Sequence, residues 1–142
     1  MATQKEINSG DNLLHYAILD DKTEFIEKVI GVFENDINAQ NVDNNTPLHY
    51  ACLKGNIKIV KLLVNNKANV LYLNKQGLSP LMMAIKNQYF FTVHFLLSIE
   101  EVVSIDKLSA LIKIFQFAIA CESSEIFFML EQTFKSSLLR YN

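Results

Sequence analysis

Apolar positions in this chain come in short bursts separated by polar turns. Leu48, Ala51 and Cys52 share one helix face by i, i+3, i+4 spacing. Ile57, Ile59, Val60, Leu62, Leu63 and Val64 make a second, more apolar helix. Gly55 separates the two and suits the left-handed conformation that ends a helix. Asn45-Thr46-Pro47 opens the first helix: Thr46 can cap its free backbone N–H groups, and Pro47 takes the first helical position, where a missing donor costs nothing. The asparagine-rich stretch 65–69 follows as a turn.

The same arrangement recurs along the chain. Leu14-His15-Tyr16-Ala17 lies 34 positions before Leu48-His49-Tyr50-Ala51, and Ser79-Pro80-Leu81-Met82-Met83-Ala84 lies 33 positions after Thr46-Pro47-Leu48-His49-Tyr50-Ala51. A fixed period of this length marks stacked helical repeats. Aligning on the shared alanine gives units near 10–42, 43–76, 77–109 and 110–142 within a single domain, 1–142. The expected fold is all-α, with a turn and two short helices in each unit.

Three units depart from the pattern. In the first, Asn12-Leu13 replaces Thr-Pro, Asp21 occupies the glycine stop, and the second helix is expected over 24–30. One extra residue near Phe33-Glu34 accounts for the 34-residue offset. The third keeps Gly77, Ser79 and Pro80 but carries Met82 for the histidine and Gln88 for the glycine stop. The fourth has only Phe115-Gln116-Phe117-Ala118 in register, no Thr-Pro and no hairpin glycine. There Ser104 or Asp106 is expected to cap a longer helix running to about Cys121, followed by a second helix over 126–130. A terminal repeat needs a polar outer face. Phe115, Phe117, Phe127, Phe128, Met129 and Phe134 make this one apolar, so residues 131–142 are expected to cover it, with self-association through the fourth repeat as the alternative.

The segment from Asn44-Asn45-Thr46-Pro47-Leu48-His49-Tyr50-Ala51 through Gly55-Asn56-Ile57 to Leu62-Leu63 closely resembles an ankyrin repeat. That resemblance implies an ankyrin-repeat solenoid of about four repeats, with no catalytic residues to inherit. It implies hydrogen bonds from His15 and His49 that steady the neighbouring loops. It also implies that a partner protein binds the concave face formed by hairpin tips and first helices. Carried over residue by residue, that face comprises Val42, Asp43, Asn45, Leu53 and Lys54 in the second unit and Lys75, Gln76, Leu78, Lys86 and Asn87 in the third. In the first unit Asn8, Ser9, Asp11, Leu19 and Asp20 correspond. An apolar centre of Val42, Leu53 and Leu78 edged by lysines has the composition of a protein-binding patch. Leu53 packing inward is the alternative, and Tyr50 is expected to pack between helices.

Composition narrows the function without naming the partner. Half of the residues are apolar and a fifth charged, which is globular composition. No apolar run approaches the about 18 residues that span a bilayer, and no secretory signal precedes residue 10, so a cytoplasmic chain is expected, with the nucleus or a host cell as alternatives. Residues 10–42 carry seven acids against Lys22 and Lys28, net −5, while residues 43–76 carry Asp43 against five lysines, net +4. Five lysines with no arginine and no interleaved aromatics make a poor nucleic-acid footprint. Cys52 and Cys121 read as buried thiols; neither forms a CxxC pair or neighbours a histidine at metal-ligand spacing. No catalytic constellation, phosphate loop, cofactor site or metal site is visible. The expected function is a non-enzymatic, monomeric module that binds another protein. An inhibitor or antitoxin-type neutraliser, a host-directed effector or adaptor, and a self-associating structural protein are the alternatives.

Overall fold

The computed structural model describes residues 9–99 and 108–140. Helices come in pairs: α1 (Leu13–Leu19) with α2 (Thr23–Val32), α3 (Pro47–Lys54) with α4 (Ile57–Asn65), α5 (Pro80–Lys86) with α6 (Phe90–Leu97), and α7 (Leu108–Ala120) with α8 (Ser124–Arg140). A 3-10 turn at Glu34–Asp36 completes the regular elements among the described residues, so the class is all-α. That turn falls where the first unit has its extra residue. The caps expected for α7, Ser104 and Asp106, lie outside the described residues.

Two compact units divide the chain at Met1–Pro80 and Leu81–Asn142. In the first, α1 packs on α3 and α2 on α4, so each helix meets its counterpart in the next repeat. The shared alanine makes that approach close: Ala17 and Ala51 are buried with Leu14, Ile18, Leu48 and Cys52. The second layer is Ile26 and Val29 of α2 with Ile59, Val60 and Leu63 of α4.

In the second unit α8 packs on both α6 and α7. Phe115 meets Phe127 and Phe134 edge-on, each with ring centroids 5.9 Å apart. The second helix of the fourth pair is much longer than the 126–130 expected, because residues 131–140 continue α8 rather than forming a separate cover. Ala118, Ile126 and Leu130 are buried, as the alanine and apolar positions of the other pairs are.

Backbone geometry keeps the period where residue type has lost it. The turn between paired helices has positive φ at Asp21 (58°), Gly55 (72°), Gln88 (57°) and Glu122 (54°), at spacings of 34, 33 and 34. Only one of the four is the glycine that such a conformation favours. A side chain in left-handed backbone costs roughly 1 kcal/mol, partly offset by glycine's larger unfolded-state entropy. Gln88→Gly is therefore expected to stabilise the protein by about 0.5 kcal/mol and Gly55→Gln to destabilise it by a similar amount or more. Urea titration checks both, and an unchanged or lowered midpoint for Gln88→Gly would refute the argument.

Candidate partner-binding face

The surface begins with two asparagines. Asn41 Oδ1 accepts the N–H groups of Asp43 (3.0 Å) and Asn45 (2.9 Å), and Asn74 Oδ1 accepts those of Gln76 (3.0 Å) and Leu78 (3.0 Å). Across each loop the backbone closes as well, Asn41 N–H to Asn45 O and Asn74 N–H to Leu78 O, both at 3.0 Å. Each tip then turns through positive φ, at Asn44 (59°) and Gly77 (74°). Both asparagines are buried, so the amide that organises each tip is shielded from competing water.

Neighbouring tips are joined side by side. Val42 N–H donates to Ser9 O and Lys75 N–H to Asp43 O, each at 2.9 Å. The asparagine side chains repeat the step: Asn41 Nδ2 donates to Asp11 Oδ1 at 2.7 Å and Asn74 Nδ2 to Asn45 Oδ1 at 2.9 Å. Tyr50 joins this set by donating its hydroxyl to Asp11 at 3.0 Å. Burial and the hydrogen bond to that carboxylate push the Tyr50 hydroxyl well above its ordinary pKa, so it stays a donor.

Histidines tie the tips to the helices. Thr46 N–H donates to His49 Nδ1 at 3.1 Å, and the Thr46 hydroxyl lies 2.9 Å from the same nitrogen. His49 Nε2–H therefore donates to Leu78 O at 3.0 Å, since a carbonyl can only accept. His15 repeats this, taking Asn12 N–H on Nδ1 at 3.2 Å and donating Nε2–H to Asn45 O at 3.0 Å. Both rings are fully buried, and burial holds both pKa values below the ordinary histidine value. The role implied for His15 and His49, steadying the neighbouring loop, is the one they occupy.

The inherited face residues sort into two kinds on this frame. Val42 (49 % exposed), Asp43, Leu53 (41 %), Lys54, Lys75 and Gln76 present side chains to solvent. Leu53 thus does not pack inward. Asn45 and Leu78 are half-buried, and their carbonyls hold the histidines, so they support the face more than they present it. Lys54 Nζ also donates to Leu19 O at 2.9 Å, where a cation complements the carboxyl end of α1. Ser9 and Asp11 serve the loop network, Leu19 and Asp20 are exposed, and Asn8 lies outside the described residues. In the second unit Lys86 ends α5 and Asn87 follows it, both exposed, with Asn87 Nδ2 donating to Met83 O at 2.8 Å.

Asn41 and Asn74 carry the loops without having been singled out in the sequence. Their signal was available, since they stand 33 apart, each 4 residues before a loop residue that returns a hydrogen bond. The Tyr50–Asp11 contact had no such signal. Cys52 is buried as expected, while Cys121 is half-buried. Among the described residues no three His, Cys, Asp or Glu side chains come together as metal ligands would, and no helix is long and apolar enough to cross a membrane.

A family model of ankyrin repeats, in three copies, matches residues 14–107. The chain belongs to the ankyrin-repeat family. It is 32 % identical over 87 residues to the chicken (Gallus gallus) nuclear factor NF-kappa-B p105 subunit, covering 58 % of this chain and 9 % of that one. Chicken inversin is 34 % identical over 84 residues, 59 % of this chain and 8 % of its own length. An ankyrin repeat protein of fowlpox virus (strain NVSL) is 33 % identical over 73 residues, 51 % of this chain and 50 % of its own. The chain spans at most half the length of these relatives. Ankyrin repeats are generally protein–protein interaction modules, and the family is typically non-enzymatic. The match ends before α7, so the fourth helix pair joins the ankyrin pattern through its geometry rather than its residues.

Proposed function

We propose that this chain captures a partner protein, in a cytoplasmic setting, through the hairpin tips and first helices of its ankyrin repeats. The observation that carries the reading is the doubly anchored loop. Asn41 and Asn74 fix each tip from within, and His15 and His49 fix it from the helix behind. Val42, Asp43, Leu53, Lys75 and Gln76 therefore stand on backbone already ordered, and binding forfeits little loop entropy. Val42 and Leu53 supply desolvatable area, and Lys75 and Asp43 supply charges that set orientation. Lys86 and Asn87 are the corresponding exposed positions of the second unit, proposed here by that correspondence alone.

Photocrosslinking from Val42 or Gln76 in cells of the protein's own source identifies the partner, with Glu24 of α2 as the control position. With that partner purified, Lys75→Glu is expected to weaken binding about tenfold or more at unchanged melting temperature. Lys75 is a cleaner test than Lys54, whose tie to α1 would be lost as well. Undiminished affinity in Lys75→Glu, together with crosslinks from Glu24 but not from Val42, would remove this face from consideration.

A further inference from the structure

The three hairpin tips align residue for residue on Asn12, Thr46 and Ser79, each standing just before the first helix of its repeat. Positive φ falls two residues earlier in every case, at Gly10 (68°), Asn44 (59°) and Gly77 (74°). Three residues before these stand Ile7, Asn41 and Asn74. Asn41 and Asn74 organise their tips through side-chain oxygens, and isoleucine has none to offer. The histidine anchor is missing as well. His15 holds the second tip through Asn45 O and His49 the third through Leu78 O, so among the described residues no histidine serves the first.

What the first tip has instead comes from the second repeat. The Asp11 carboxylate accepts Asn41 Nδ2 at 2.7 Å, and its two oxygens accept the Tyr50 hydroxyl at 3.0 and 3.1 Å. A charged acceptor makes these stronger than ordinary neutral hydrogen bonds. The Tyr50 ring is set by His15, which it meets edge-on with centroids 5.2 Å apart. One repeat on, the same two places hold Asn45 and Met83, and methionine has no proton to donate. The phenol donor is thus found where both inner anchors are lacking.

The tie extends to Val42. Its N–H donates to Ser9 O at 2.9 Å. Gly10 approaches so closely that a Cβ there would stand 3.1 Å from Val42 Cγ1 and 3.2 Å from Val42 N. The first tip is therefore a wall against the backbone and side chain of Val42, an exposed apolar residue of the proposed face. We propose that Tyr50 is a positioning residue for partner capture: by holding Asp11 it fixes residues 9–12, and these hold Val42 in its binding orientation. This role presupposes the partner-binding reading above, while the hold on Val42 exists in the free protein.

Tyr50→Phe keeps the ring against His15 and deletes only the donor. Amide exchange followed by NMR is expected to be about tenfold faster at Val42, with Gln76 and Leu78 unchanged. Asp11→Ala should reproduce the increase, and adding Tyr50→Phe to it should change nothing further, because the two side chains act as one link. A general loss of packing would instead speed all the tips together and add in the double variant. Unchanged exchange at Val42, or additive effects, would overturn the proposal without any partner. With the partner purified, Tyr50→Phe is expected to weaken binding about threefold or more. Lys75→Glu, measured beside it, separates two failures. Weakened binding in Lys75→Glu but not in Tyr50→Phe would refute the role of Tyr50 and leave the face standing. No weakening in either would remove the face, and the role of Tyr50 with it.

Discussion

Replacing His49 with alanine is expected to destabilise the protein by about 3 kcal/mol, read from urea unfolding. The ring is fully buried, and its two nitrogens serve opposite ends of the structure. Nδ1 takes Thr46 N–H, an N-terminal donor that α3 cannot satisfy itself, and Nε2–H satisfies Leu78 O in the next hairpin. Alanine strands both groups in a buried setting and leaves a ring-sized void, and each defect alone costs on the order of 1–3 kcal/mol. The damage should also be local in a way a core truncation is not. Amide exchange at Gln76 and Leu78 should rise above that at Asp43 and Asn45, whose loop hangs on His15 instead. A loss below about 1 kcal/mol with unaltered exchange at Gln76 and Leu78 would show that the bridge does not hold the loop. His94→Ala, on exposed α6 surface, serves as the control.

That variant also connects stability to function. If the hairpins bind because they are ordered in advance, loosening residues 74–78 should weaken capture even though His49 is inaccessible to any partner. Affinity for a partner engaging Lys75 and Gln76 should fall, and it should fall more as temperature rises and the loop samples more conformations.

Local chemistry was legible in the sequence wherever a residue acts on its own helix. Pro47 at the start of α3 and Gly55 at its end stand where the spacing placed them. Thr46 is a partial exception: its hydroxyl meets His49 Nδ1, and its backbone N–H is the group the histidine satisfies, so the cap is shared between the two residues. What stayed hidden acts over distance or through backbone alone. Asp21, Gln88 and Glu122 adopt the glycine conformation without being glycine, because packing of the paired helices fixes the turn whatever residue fills it. The reach of α8 was hidden because polar residues dominate 131–137, and the helix is held there by a few inward groups such as Phe134 and Ser137. Of the face, the tips were legible through the family resemblance. The double role of Lys54, which reaches Leu19 O across 35 positions, was not.

Acid should unfold this protein earlier than its carboxylates alone would require. His15 and His49 are both held below the ordinary histidine value of 6.5, chiefly because burial disfavours the imidazolium. The hydrogen bond to Asn45 O and the charges of Asp11 and Asp36 pull His15 part of the way back, and the backbone of Leu78 and Tyr72 does the same for His49, which protonation of His15 would lower further. Geometry agrees, since a protonated His49 Nδ1 could no longer accept Thr46 N–H. The sign follows from proton counting. Below about pH 6.5 the unfolded chain binds protons that the folded chain refuses, so stability is complete above that pH and declines as pH falls toward the folded midpoints. At its steepest the decline is about 1.4 kcal/mol per pH unit for each histidine, and about twice that while both differ in protonation. Thermal unfolding between pH 7.5 and 4.5 gives the profile, and imidazole NMR gives the assignment: His15 and His49 should keep neutral-ring signals below pH 6.5 until the fold is lost. Protonation of either ring at or above its ordinary value in the intact fold would contradict this, and so would a stability that stays flat from pH 6.5 downward.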